Sequence, residues 1–222
     1  MKKKLKAFAA LAATLVMVIS FSGCGDFDAA TYVEGTLDAC KTGTVSDELA
    51  DISAESKEEI QEDIDEIYST MADEMIDVFG DECVTDKTES LCEEYSKAFM
   101  NTMKYEVSDD CEEKDGTYHV KVTAYPLDLS EFMDHMGGDF RNQWTEKVAG
   151  YSTQDEFLSA FYEAYMQEFV DYLKDTENLK YGESQEYTVK VSEDKDGYYE
   201  MDEEDLTNLL GALFAEDQLP EE

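Results

Sequence analysis

The sequence predicts an α+β fold, with helices packed against two antiparallel β-hairpins around one core. Three observations predict it. Apolar residues recur at three- and four-residue steps over several long stretches. Twice that period gives way to strict alternation, and each time the alternating runs flank a Lys-Asp-Gly turn. Only Pro126 and Pro220 interrupt a chain that is 42% hydrophobic and 12% aromatic, enough apolar surface to build a core despite a net charge of −38.

The elements follow in order. Phe27, Val33, Leu37 and Cys40 share one helix face, and Gly43 ends that segment. Ser56-Lys57-Glu58-Glu59 forms a capping box. It opens a helix with Ile60, Ile64, Ile67, Tyr68, Met71, Met75, Val78 and Phe79 inward, stopped by Gly80. A helix after Asp86 turns Leu91, Tyr95, Phe99 and Met103 inward. Tyr105-Glu106-Val107 and Tyr118 to Thr123 alternate as strands joined through Lys114-Asp115-Gly116, and Pro126 closes the pair. Helices resume at Asp128 or Ser130, with Phe132, Met136, Phe140, Trp144 and Val148 on one side and a break expected at Gly137-Gly138. Thr153 to Glu156 is a second capping box. The helix behind it, to about Asp175, carries Phe157, Phe161, Tyr162, Tyr165, Phe169 and Tyr172, spread widely enough to predict a central helix covered on both sides. Tyr187 to Val191 and Tyr198 to Met201 form the second hairpin around Lys195-Asp196-Gly197. A last helix carries Leu206, Leu209, Leu210, Leu213 and Phe214. Both hairpins are entered through Tyr-x-Val, so residues 56–126 and 129–201 read as two similar helices-then-hairpin units sharing one core, a weak duplication. The acidic domain spans 27–216, and 217–222 form an acidic tail.

The N-terminus carries a different signal. Lys2, Lys3, Lys4 and Lys6 precede an uncharged apolar run from Ala7 to Phe21, the layout of a secretory signal peptide and too short for a spanning helix. It ends in Phe21-Ser22-Gly23-Cys24, an apolar residue, two small residues and a cysteine. That order resembles the lipobox of bacterial lipoproteins, which implies cleavage of residues 1–23 and a diacylglyceryl group on Cys24. Two acyl chains give durable membrane anchoring. Residues 24–26 are then the whole tether.

Cleavage removes four lysines and carries the net charge from −38 to −42, with Arg141 the only arginine. Such a chain does not bind nucleic acid, which needs clustered Lys and Arg. Anionic lipid head groups repel it, so the lipid and not the protein surface holds it at the membrane. The partners its charge fits are a basic protein or another cationic ligand.

Cys40, Cys83, Cys92 and Cys111 form an even set in an extracytoplasmic context and are candidate disulfide cysteines, with three pairings open. There is no Cys-x-x-Cys motif for redox or zinc chemistry. The sharpest metal candidate is calcium in the loop 192–203. Ser192, Asp194, Asp196, Glu200 and Glu203 supply oxygen at EF-hand positions, with Gly197 at the sharp turn. Against it, position 1 is Ser192 and the residues before it alternate like a strand. A hairpin turn before an acid-capped helix accounts for the same residues. His119 and His135 are the only histidines, and the sequence places no partner beside either. No catalytic set or resident cofactor is expected.

The lipobox, the segment Tyr32-Val33-Glu34-Gly35-Thr36-Leu37-Asp38, the run Val122 to Leu127 ending in Tyr-Pro-Leu, and the last hairpin running into a Leu-rich helix together resemble a family of lipoproteins from low-GC Gram-positive bacteria, a domain of unknown function. The resemblance implies a lipid-anchored protein on the extracytoplasmic face of the cell membrane. It implies no catalytic residues.

Overall fold

The computed structural model describes residues 21–22, 27–53, 55–80, 83–195 and 197–214. The element order is β1 (Phe21–Ser22), α1 (Ala29–Thr42), α2 (Asp47–Ile52), α3 (Lys57–Phe79), α4 (Asp86–Asn101), β2 (Tyr105–Lys114), β3 (Thr117–Ala124), β4 (Leu127–Asp128), α5 (Ser130–His135), α6 (Arg141–Lys147), α7 (Gln154–Lys174), β5 (Lys180–Tyr181), β6 (Gln185–Glu193), β7 (Tyr198–Met201) and α8 (Glu203–Leu213). The fold is α+β, as the periodicities predict. Among the described residues no helix is long and apolar enough to cross a membrane. The chain forms two compact units. One holds Met1–Ile67, Met103–Leu127 and Tyr181–Glu222, the other Tyr68–Thr102 and Asp128–Lys180.

The first unit is built on an antiparallel sheet of order β1-β7-β6-β3-β2. β1 is two residues of the predicted signal segment, paired through Phe21↔Tyr199 and Ser22↔Tyr198. The remaining four strands are the two predicted hairpins, joined because β3 pairs β6 from Thr117↔Ser192 to Ala124↔Gln185. Alternation then sorts the side chains. Val120, Val122, Ala124, Val189, Val191 and Met201 point to one face and are buried. Lys121, Thr188 and Lys190 point to solvent. Helix α1 covers the inner face over β2 and β3, and α8 covers it over β6 and β3.

Local chemistry fixes the ends of these elements. Asp28 caps α1 by accepting from the backbone N–H groups of Ala30 and Thr31, and Gly43, at φ 69°, closes it with its N–H on the Ala39 carbonyl. The Ser56–Glu59 capping box is reciprocal: Ser56 N–H donates to Glu59 Oε2 at 2.9 Å and Glu59 N–H donates to Ser56 Oγ at 3.3 Å. Asp115 and Gly116 have φ of 54° and 80°. Two successive left-handed residues between Lys114 and Thr117 make the primed two-residue turn that Asp-Gly favours. The second hairpin closes between Asp194 and Tyr198, and Gly197 takes φ 89°. All five predicted apolar residues of the last helix, Leu206 to Phe214, are buried.

In the second unit α4 packs along α7. Its core is aromatic: Phe132 stacks on Phe169 with centroids 4.4 Å apart, and Tyr95 lies 5.0 Å from Phe169. Thr85 caps α4, accepting from Thr88 N–H at 3.2 Å while its hydroxyl donates to Glu163 Oε1 at 2.7 Å. Thr85→Ala removes both bonds and is expected to cost about 1–2 kcal/mol, the usual range for a lost cap. Urea unfolding of the variant beside wild type checks this. Thr85→Ser, which keeps the hydroxyl, should recover most of the loss.

Three details differ from the sequence expectation. Gly137-Gly138 does not break the helical path: Met136–Phe140 forms a π turn that carries α5 into α6. This keeps Phe132, Met136, Phe140 and Trp144 buried, but Val148 falls beyond the last turn and is 50% exposed. Val78, expected inward, is 47% exposed. Helix α7 is not covered on both sides. Met166, Phe169, Val170 and Leu173 are buried, whereas Phe157, Phe161, Tyr162 and Tyr165 are only partly covered. The N-terminal half of the stripe still meets ring neighbours, Phe161 lying 5.5 Å from Phe140 and 5.6 Å from Trp144 and Tyr162 stacking on Phe79 at 4.5 Å, while staying partly open to solvent.

Candidate functional site

Cys24 and Asp196 lie outside the described residues. The first residue described after Cys24 is Phe27, and it is held in place. Its ring stacks on Tyr199 with centroids 3.9 Å apart and planes 4° from parallel. It meets Tyr118 edge-on at 5.2 Å and lies tilted 5.8 Å from Tyr32. Tyr118 and Tyr199 project from the inner face near the turn ends of β3 and β7, because Tyr118 pairs with Val191 and Tyr199 with Glu193. Tyr32 is fully buried in the first turn of α1. Burial, with Glu200 and Glu55 adding to it, raises the pKa of its hydroxyl, so the ring enters the core neutral. Sequence reading placed Phe27 on the face of α1. The structure places it one residue before the Asp28 cap, where it closes the end of the sheet.

The solvent face of the same sheet carries an acidic hollow. The register of β2 slips between Val107↔Val122 and Cys111↔Val120, so Ser108, Asp109 and Asp110 bulge out of the ladder. With Glu112, Lys121 and Glu186 they line an open hollow of about 640 Å³. Lys121 Nζ lies 3.7 Å from Glu186 Oε1. Four carboxylates face one lysine, so the hollow attracts cations. It is open to water. Sequence reading missed it, although the loss of alternation at Ser108-Asp109-Asp110 is its signal.

Of the candidate calcium residues, Ser192, Asp194, Glu200 and Glu203 lie within the described residues. Ser192 sits in β6 paired to Glu200 on β7, and Glu203 is the first residue of α8. Asp194 works in the turn: its carboxylate accepts from Tyr198 N–H at 2.9 Å and its carbonyl accepts from Gly197 N–H at 3.2 Å. Asp202 caps α8 by accepting from Asp205 N–H. The residues before the loop form a strand, where an EF-hand needs a helix. Among the described residues no group of three or more His, Cys, Asp or Glu side chains is placed to hold a metal ion.

Among the described residues Cys40, Cys83 and Cys92 are buried, and Cys111 is half-buried. Burial pushes the Cys40 thiol up to about 12, and burial with Glu89 nearby pushes Cys92 up to about 12. Burial also raises Cys111. A nucleophilic or metal-binding cysteine needs the opposite shift. His135 Nε2 lies 3.7 Å from Glu168 Oε2 on the surface. His119 faces solvent from β3 between Glu112 and Lys190.

No protein-family model matches the chain, and no curated protein matches it by sequence. Among solved structures it is similar to a candidate lipoprotein, YcdA, of Bacillus subtilis, with a TM-score of 0.59 and 13% sequence identity. The match covers 84% of this chain and 56% of that one, so this chain spans little more than half the length of the protein it resembles. At that identity the likeness is one of fold: this chain shares the architecture of a candidate lipoprotein from a low-GC Gram-positive bacterium.

Proposed function

We propose that this chain is a lipid-anchored envelope protein, held through Cys24 at the outer face of the cytoplasmic membrane, and that it acts by binding a basic protein or cationic ligand. The observation that carries the anchor is the order of the N-terminus. A lysine cluster, an uncharged apolar run and Phe21-Ser22-Gly23-Cys24 are followed within three residues by Phe27, already packed into the fold. An export signal ends where the domain begins. The likeness in fold to a candidate lipoprotein supports the same reading.

The binding role rests on charge. With 55 acidic residues and the hollow beside Asp109, Asp110, Glu112 and Glu186, the surface attracts cations over a Debye length of about 8 Å at physiological salt. Thiols raised by burial argue against cysteine catalysis. Detergent phase separation of the full chain expressed in a bacterium tests the anchor. Wild type should enter the detergent phase and Cys24→Ser should remain in the aqueous phase or stay uncleaved. Wild type in the aqueous phase overturns the anchor. Recovery from envelope extracts of a partner released by salt supports the binding role, and recovery of none contradicts it.

A further inference from the structure

We infer that the packing of Phe27 sets the orientation of the sheet on the membrane, holding the end that carries both Lys-Asp-Gly turns against the lipid surface. This rests on lipidation of Cys24, as proposed above.

Phe27 is fixed between Tyr118 and Tyr199. Three residue steps separate it from Cys24, and a fully extended chain spans about 3.6 Å per step, so the lipidated cysteine lies within about 11 Å of Phe27. The acyl chains must lie in the bilayer. Tyr118 is one residue from the start of β3, and Thr117 pairs with Ser192 near the end of β6. The turn at Asp115-Gly116 and the turn closed by Asp194 and Tyr198 therefore lie side by side at this end of the sheet. The opposite end, marked by Ala124↔Gln185, is seven residues further along β3, about 24 Å at strand rise.

The facing end is not attracted by its charge. Glu113, Asp115, Glu193 and Asp194 outnumber Lys114 and Lys195 there. Anionic head groups repel it, while the tether keeps it within roughly one to two Debye lengths of the surface. The aromatic contact therefore resists an electrostatic force that would swing the domain away. Phe27→Ala releases the aromatic contact and lengthens the tether by one residue step, to the Asp28 cap, without touching the acyl chains.

The test uses the lipidated full chain in phosphatidylcholine vesicles containing a head-group energy acceptor. A donor is placed at exposed Lys114 by Lys114→Cys or at exposed Ser184 by Ser184→Cys, with the labelling background measured on the unsubstituted protein. Transfer should be clearly higher from position 114 than from 184. Phe27→Ala should narrow the difference, while Phe27→Tyr preserves it. Equal transfer in protein that floats with the vesicles overturns the orientation and leaves the anchor standing. Protein that does not float overturns the anchor and this inference with it.

Discussion

Raising ionic strength from about 0.01 M to about 1 M should raise the melting temperature by about 5 °C. The Debye length falls from about 30 Å to about 3 Å over that range, and the self-repulsion of the acidic surface falls with it. Relief of about 2 kcal/mol gives such a shift, at about 2–4 °C per kcal/mol for a domain of this size. The same repulsion has a pH signature. Burial raises Glu55, with Asp63 and Glu59 adding to it, and burial raises Asp63, with Glu66, Glu62 and Glu59 adding to it. Glu55 Oε2 is buried without a hydrogen-bond partner. A carboxyl whose folded pKa lies above its unfolded value stabilises the fold when protonated, and that stability is lost as pH rises through the folded pKa. Lowering the pH from neutral toward the upper edge of the carboxylate range should therefore raise stability. Further acid should lower it, because Asp47, held down by Lys57, Glu59, held down by Ser56, and Asp128, held down by Ser130, then protonate. Thermal melts across pH should show a maximum on the acid side of neutral. Glu55→Gln should raise the neutral-pH melting temperature and flatten the rise. Calcium should act as a screening cation on the acidic surface; a saturable calcium transition lost in Asp194→Ala would instead assign a site to the 192–203 loop.

Tyr32→Ala should cost about 3–5 kcal/mol, the range for truncating a large buried ring. Tyr32 is 0% exposed and is among the largest fully buried side chains. It lies where α1 enters the core, and its ring is the inner neighbour of Phe27. Its removal opens a cavity beneath the N-terminal contact and loosens the base of α1, which covers β2 and β3. Tyr32→Phe keeps the ring and its packing and should cost far less than the alanine variant. Urea denaturation of the two variants separates these effects. An alanine variant no weaker than a surface substitution would show that α1 does not hold the sheet as described.

Much of this fold is legible in the sequence because its signals are local. Capping boxes at Ser56 and Thr153, the left-handed pair Asp115-Gly116 and the Leu-rich last helix each follow from a few neighbouring residues, and each stands where the pattern puts it. The pairing of β3 with β6 is not legible, because it joins residues some seventy positions apart whose alternating pattern fits several partners. The exposed ends at Val78 and Val148 fail for a related reason: a helical stripe predicts a face but not how far along it neighbours extend. The contact of Phe27 with Tyr199 is also long-range. Nothing near Phe27 marks it as anything but one more apolar residue on a helix, and only the sheet brings its partner to it.

Intact mass spectrometry of protein purified from membranes reads the N-terminus of the mature chain directly. The expected result is a chain beginning at Cys24, heavier than the bare polypeptide by a diacylglyceryl group that base hydrolysis strips of its acyl chains. An unmodified chain that retains residues 1–23, or one cut at any other bond, would contradict it.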